Sequence, residues 1–407
     1  MARTRNQALA DWMTERAMSE TELADQLNRH VATLTGRPGT ATDRTVRRWL
    51  SGEVTWPQAK QREALTRVTG IPVDGLGFTR RGATPAAPGV FQGPPRRVGM
   101  SDVARLTAKM ADLVAADHRH GGTAAVESRA ADLARQALDL QQLGTASTRV
   151  RGKLYALAAT LACSALWAAS DGHRLDAAQR HLHQSVILAG LSGDPAVQFR
   201  VWGHAAVLYR QLGRPTDALA AADVGRSLSV NRRDPLYASL AHVHTAVHHG
   251  DLGDRAATLR SIGHAQDALD RADPLLPRPP WILFYDQSQL ELLTVIAKAV
   301  LGQWAEAEAH AHRALALMRQ RPGLVRERHR ALVHLARTQL EQGALAPAAA
   351  HARAVPPSAW HGRTAHLLRA FTTRLHALAP DAPETRAWTD YVREVSATPL
   401  TTAPRPH

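Results

Sequence analysis

The sequence predicts an all-α fold in two parts, a small helical domain over residues 1–78 followed by a helical repeat solenoid over residues 101–395. Three observations lead there. Residues 1–78 break into short amphipathic helical patterns with turn signals between them. Residues 79–100, TRRGATPAAPGVFQGPPRRVGM, set Pro85, Pro88, Pro94 and Pro95 among glycines and read as an extended linker. From Ser101 onward, Ala- and Leu-rich helical patterns run with hardly a strand signal, and a glycine-centred motif recurs. The tail over 396–407, SATPLTTAPRPH, reads as disordered.

In the N-terminal part, Asn6 to Arg16 carries an apolar stripe of Ala8, Leu9, Trp12 and Met13. The next helix begins at MSETELADQLN (18–28), where Ser19 caps and Glu22, three residues on, completes a capping box; Leu23, Ala24 and Leu27 form its buried face. RHVATLTGRPGTA follows, with Gly36, Pro38 and Gly39 forming a turn. Thr42 then caps DRTVRRWL, whose Val46, Trp49 and Leu50 point inward at i, i+3 and i+4 before Gly52 closes it. A further helix is expected after Trp56-Pro57, with Ala59, Ala64, Leu65 and Val68.

The long second part repeats. GHRLDAAQ at Gly172, GRPTDALAAA at Gly213, GDRAATLR at Gly253, GQWAEAEAHA at Gly302 and GALAPAAAHA at Gly343 are spaced 41, 40, 49 and 41 residues apart. Each glycine suits the left-handed turn where one helix ends. A small residue five positions later (Ala177, Ala218, Ala307, Ala348) lets the next helix pack closely; the Gly253 copy departs, with Thr258 there and Ala257 before it. Asp194-Pro195 and Asp234-Pro235 are helix-start signals.

Composition sets bounds. Fifty Lys+Arg against 36 Asp+Glu give a formal net charge of +14, which suits a polyanionic partner, although Arg- and Ala-rich usage also follows from a GC-rich genome. Cys163 is the only cysteine, so an intrachain disulfide and a four-thiolate metal site are excluded. The start, MARTRNQALADWMTER, lacks the apolar core of a signal peptide, and the apolar LYALAATLACSALWAA (154–169) reads as a buried helix rather than a membrane span. A cytoplasmic protein is expected.

Two resemblances add to this. The spacing Trp202, Ala206, Tyr209, Gly213, Ala218 resembles the tetratricopeptide repeat, with a period longer than that family's usual 34 residues and so with extended helices or loops. The N-terminal pattern resembles the helix-turn-helix domain of Xre-like, phage-repressor-type regulators. Glu22-Leu23-Ala24 match that family's first motif, Thr42 its helix cap, Thr45-Val46 its Thr-Ile pair, and Arg48-Trp49 with Gly52 its R-W-x-x-G. The turn between the two helices, about a dozen residues, is longer than the family's. DVARLTAKMADLVAADHRHGG (102–122), with Asp117, Gly121 and Gly122, resembles a segment that precedes the repeats in actinobacterial regulators joining the two modules.

The resemblance implies a DNA-binding transcription regulator in which the helix 43–50 enters the major groove. Arg44, Thr45 and Arg47 would then read bases, and Thr42, Arg48, Lys60 and Arg62 would contact the backbone. Asp43 opposes phosphate and is read as a helix-dipole residue. The array would sense a peptide, small molecule or protein effector, with Arg200, His204 and Arg210 in its groove, and a homodimer is expected. No cofactor or metal is expected: His244 and His248 share a helix face, but no H-E-x-x-H accompanies them. Phosphate-loop, dinucleotide and nucleophile-elbow motifs are absent and Cys163 lies in an apolar helix, so an enzyme is not expected. The competing readings are a tetratricopeptide scaffold without operator binding, and a sensor acting through another regulator.

Overall fold

A computed structural model describes residues 5–78 and 96–397, apart from positions 17, 36, 72, 74 and 322. The described residues are almost wholly helical, as expected, and fall into two units divided between Pro94 and Pro95. The linker prolines, Gly36 and the tail from 398 lie outside the described residues.

The first unit holds α1 (Gln7–Glu15), α2 (Glu20–Thr35), α3 (Asp43–Leu50) and α4 (Ala59–Thr69). Leu9, Trp12, Leu23, Leu27, Val46, Trp49 and Leu65 share one core, with Phe78 edge-on to Trp49 at 5.8 Å. Ser19 and Glu22 form the expected reciprocal cap: the Glu22 carboxylate accepts from the Ser19 amide at 2.9 Å, and the Ser19 hydroxyl accepts from the Glu22 amide at 3.3 Å. One expectation is corrected. RHVATLT continues α2 to Thr35, because Val31 is another core contact in the helical register, so the connection to α3 is only residues 36–42.

A side chain that the pattern reading passed over fixes that connection. Asn28 Nδ2 donates to the Ala41 carbonyl and Asn28 Oδ1 accepts from the Ala41 amide, both at 2.8 Å. Gly39 lies so close that an added Cβ would stand 2.5 Å from Asn28 Oδ1. Asn28→Ala is therefore expected to cost about 2 kcal/mol, since it orphans both Ala41 backbone groups. Amide exchange should show α3 losing protection while the second unit keeps its own; unchanged α3 protection would refute this role.

The second unit opens with a two-residue strand β1 (Arg96–Arg97) paired in parallel with β2 (Gly144–Thr145). Val98 is buried beside them, so this domain begins at 96, inside the stretch read as linker. Its helices form antiparallel-style consecutive pairs: α5 (Met100–His120) with α6 (Ala124–Leu143), α7 (Thr148–Asp171) with α8 (Leu175–Ser192), and α9 (Pro195–Gln211) with α10 (Pro215–Ser227). A single turn, α11 (Val230–Arg233), precedes α12 (Pro235–Asp251) and α13 (Arg255–Asp270). Then come α14 (Gln287–Val300) with α15 (Trp304–Met318), α16 (Val325–Glu341) with α17 (Leu345–Arg353), and α18 (Gly362–Leu378) with α19 (Pro383–Ala397). Helix α19 takes in Ser396 and Ala397, two residues beyond the expected domain end. The 49-residue step between Gly253 and Gly302 holds residues 271–286, with a 3-10 turn at Pro280–Ile282; Arg278 binds this insertion down by a two-point contact to Asp234, at 2.6 and 2.8 Å.

Gly213, Gly253, Gly302 and Gly343 take the left-handed conformation, with φ of 70°, 77°, 69° and 80°. Gly172 does not. Its φ is −82°, and the left-handed residue is His173 at 56°. The turn comes one residue late, so the fully buried small residue is Ala178 and not Ala177. Gly172 is small for another reason: a Cβ there would sit 2.6 Å from the Gly122 carbonyl. Thr258 occupies the small position of the Gly253 copy, fully buried, its hydroxyl donating to the Asp254 carbonyl at 2.8 Å. Asp194 and Asp234 cap α9 and α12 as read.

Helix α7 is long and apolar enough to cross a membrane, yet 67% of its apolar window is buried within this domain. The array also returns on itself. Arg326 on α16 reaches Asp117 on α5 at 3.4 Å, and Arg363 on α18 reaches Asp171 at the end of α7 at 3.3 Å. A Cβ on Gly362 would stand 2.9 Å from the Asp171 carbonyl oxygen, and His173 stacks on His366 with centroids 4.2 Å apart. The Asp117, Gly121, Gly122 segment makes this closure. Gly121, at φ 68°, passes close to His361, and the Gly122 amide donates to the Asp171 carboxylate at 3.0 Å.

Candidate functional site

Helix α3 has one buried face and one charged face. Val46 and Trp49 are 0% and 1% exposed, which fixes the helix on the core, while Arg44, Arg47 and Arg48 face outward. Thr42 caps it: its hydroxyl accepts from the Thr45 amide at 3.4 Å, and the Thr45 hydroxyl accepts from the Thr42 amide at 3.1 Å. The far end is tied down where the Asn6 amide donates to the Leu50 carbonyl at 2.9 Å.

The expected contact residues divide into three groups. Among the described residues, Arg44 and Lys60 make no hydrogen bond or ion pair and are exposed. Arg47 pairs with Asp43 one turn back, and Arg48 Nε with Glu53 at 2.7 Å. Such exposed pairs are worth at most about 1 kcal/mol, so they open at little cost. Thr42, Thr45 and Arg62 are engaged with nearby backbone. The Thr45 hydroxyl serves the cap, and Arg62 donates to the Pro57 carbonyl at 2.7 Å while lying over Trp56.

The second unit contains a cavity of about 150 Å³ inside the closed array. Of the residues expected in an effector groove, Arg200 and His204 line it and Arg210 does not. At 100° per residue, Arg210 lies about 80° around α9 from Arg200. It makes a two-point contact with Asp251 on α12, at 2.6 and 2.9 Å. The wall also includes Arg326, Glu327 and Arg330 from α16, Arg363 from α18, Asp117 from α5, and the rings of Trp167, Phe199, Trp281 and Phe284. The repeat pattern gave no sign of these, because inner-face polar residues are not part of the Gly/Ala spacing. Arg326 and Arg330 at i, i+4 with buried Leu335 and Ala331 around them were the available signal.

Charge in this cavity is unevenly matched. Arg326 faces Asp117 and Glu327, and although burial lowers its pKa, those carboxylates with Asp171 raise it on balance. Arg363 lies on the Trp167 ring at 4.4 Å. Its Nη2 is 3.3 Å from Asp171 without the alignment of a hydrogen bond. Arg200 donates to the Thr160 carbonyl and the Ser164 hydroxyl, each at 3.0 Å. Arg330 makes no hydrogen bond or ion pair among the described residues, and burial with neighbouring Arg363 brings its pKa down to about 9, so it stays cationic at neutral pH. His204 stacks on Trp167 with centroids 4.6 Å apart and shares a hydrogen bond with Cys163 at 3.1 Å. Burial pushes the thiol up to about 11 and, with Arg200 and His244, holds the imidazole well below its usual value, so both are neutral.

His244 lines the cavity, whereas His248 lies 3.6 Å from Asp251 and is not part of its wall. Among the described residues no three His, Cys, Asp or Glu side chains converge as a metal site. The chain matches no protein-family model, and no curated protein is significantly similar to it.

Proposed function

We propose that the protein is a cytoplasmic, sequence-specific DNA-binding transcription regulator whose α2 and α3 act as a helix-turn-helix and whose α3 is the recognition helix. The observation that carries this is the two-faced α3: a capped eight-residue helix, clamped to the core by Val46 and Trp49, that presents Arg44, Arg47 and Arg48 outward. Arginine meets guanine O6 and N7 with two hydrogen bonds, and the helix start supplies amides for phosphate. Within this reading Arg44 and Arg47 contact bases, while Thr42, Arg48 and Lys60 contact the backbone. Thr45 orders the helix start, and Arg62 reaches phosphate only by leaving Pro57. The second unit, a tetratricopeptide-type array in this reading, senses an effector or binds a partner, and a homodimer doubles the half-site.

Selection of bound duplexes from a random pool tests it, with the full chain and an Arg44→Ala, Arg47→Ala variant. An enriched motif is expected, palindromic if the dimer holds. The variant should lose about 1–3 kcal/mol per base-reading arginine and with it the motif. Salt-sensitive binding without any enriched sequence would instead favour a protein-interaction scaffold.

A further inference from the structure

We propose that the cavity of the repeat domain is a binding site for a small organic acid, a carboxylate on an aromatic or short aliphatic body, with Arg330 as its principal anchor. Four guanidinium groups, Arg200, Arg326, Arg330 and Arg363, share the carboxylates of Asp117, Asp171 and Glu327. The nearby histidines are neutral and add nothing to either side. One cation is therefore in excess; Arg200 and Arg330 both lack a carboxylate partner, and of the two only Arg330 also makes no hydrogen bond among the described residues.

Three of these guanidinium groups also hold N–H groups in reserve. Arg326 Nε, Arg330 Nε and both Nε and Nη2 of Arg363 are buried without a hydrogen-bond acceptor. A buried donor left unmade is costly, and more so when charged, so a set of them on the guanidinium groups around one cavity favours an acceptor anion there. A carboxylate accepts from a planar guanidinium through two parallel bonds and fits that demand with one negative charge.

The remaining wall sets the size and character of the body. Trp167, Phe199, Trp281 and Phe284 with Leu113 and Leu240 make it apolar and flat-sided. A cavity of about 150 Å³ is the size that takes a benzene ring when lined by apolar side chains, so the occupant has on the order of ten non-hydrogen atoms. The return of α16 and α18 onto α5 and α7 forms one side of the site, which stays partly open to solvent, and the bound acid bridges α16 to the helices opposite.

The acid's role as the sensed signal rests on the proposed regulator function; its binding does not, and the two fail separately. Benzoate, phenylacetate and hexanoate are titrated calorimetrically into the full chain, with benzamide, phenylacetamide and benzylamine as controls. At least one acid should bind at least tenfold tighter than its amide, and benzylamine should not bind. Arg330→Met should raise the thermal midpoint of the empty protein, because an unpaired buried charge is removed, and should abolish acid binding. Arg330→Gln serves if the methionine variant misfolds. No binding by any of the three acids, equal binding of acid and amide, or full acid affinity in both Arg330 variants would each overturn the proposal. Acid binding without any change in affinity for a selected DNA would keep the site and remove the sensing role.

Discussion

Asp171→Ala is expected to destabilise the repeat domain by about 3–5 kcal/mol, the usual consequence of removing one partner from a buried ion pair. The Asp171 side chain is 5% exposed at the C-terminal end of α7. It holds Arg363 at 3.3 Å and accepts from the Gly122 amide at 3.0 Å. Burial pushes its carboxyl up, but Arg363, Arg326 and the Gly122 amide overcome that and hold it below its usual value, so it is ionised at neutral pH. Alanine leaves a cation and an amide buried and unpaired at once. Asn, which keeps an acceptor for Gly122, should cost less, and Asp171→Ala combined with Arg363→Met should recover part of the loss. Urea unfolding followed by circular dichroism measures all three. A loss below about 1 kcal/mol for Asp171→Ala would mean that α18 and α7 are not held together through this pair.

Acid should be the second strong lever on stability. Burial, and then His248, brings His244 down to about 3; burial, and then Arg330 and Arg337, does the same to His334. His204 is lowered as well, by burial first. In the unfolded chain each titrates near its ordinary 6.5. Above that pH both states are neutral and nothing changes. Between 6.5 and about 3 the unfolded chain takes up protons that the folded one refuses, so stability falls as pH falls. The slope is about 1.4 kcal/mol per pH unit for each histidine, so His244 and His334 together remove roughly 4 kcal/mol between pH 7.5 and 5, and His204 acts in the same direction. That is a large share of the whole stability of many domains. Urea midpoints at the two pH values should differ accordingly, and His334→Gln should flatten the slope by about 1.4 kcal/mol per pH unit. Equal midpoints would show that these rings are protonated in the folded state.

Much of the fold was legible because it rests on local chemistry. Ser19 with Glu22, the Thr42 cap, the Gly52 stop, and the Asp-Pro starts at 194 and 234 each act over four residues or fewer, and the structure has them in place. The recurring glycines were legible for the same reason, and Gly172 shows the limit. A residue chosen for close approach to Gly122, 50 positions away in sequence, looks the same in a pattern as one chosen for its backbone angle. The site divides likewise. The resemblance of one repeat implied Arg200, His204 and Arg210, of which Arg210 lies off the cavity, whereas Arg326, Arg330 and Arg363 reach it only because the array bends round to meet its own beginning. The clamp of Asn28 on Ala41 escaped because a polar side chain serving a loop carries no periodicity.

The contact between Arg326 and Asp117 spans 209 residues, and it changes what kind of object the repeat domain is. In an open array each unit answers only to its neighbours, stability grows by increments, and units can be gained or lost at either end. Here the two ends meet, so the number of units is set by the bend that each contributes. A duplicated or deleted pair would part Gly121 from His361 and Gly362 from Asp171. The closing contacts form only after the intervening helices are in order, which makes folding slower than local pairing alone would allow. Copy number, free to drift in an open array, is fixed here by geometry.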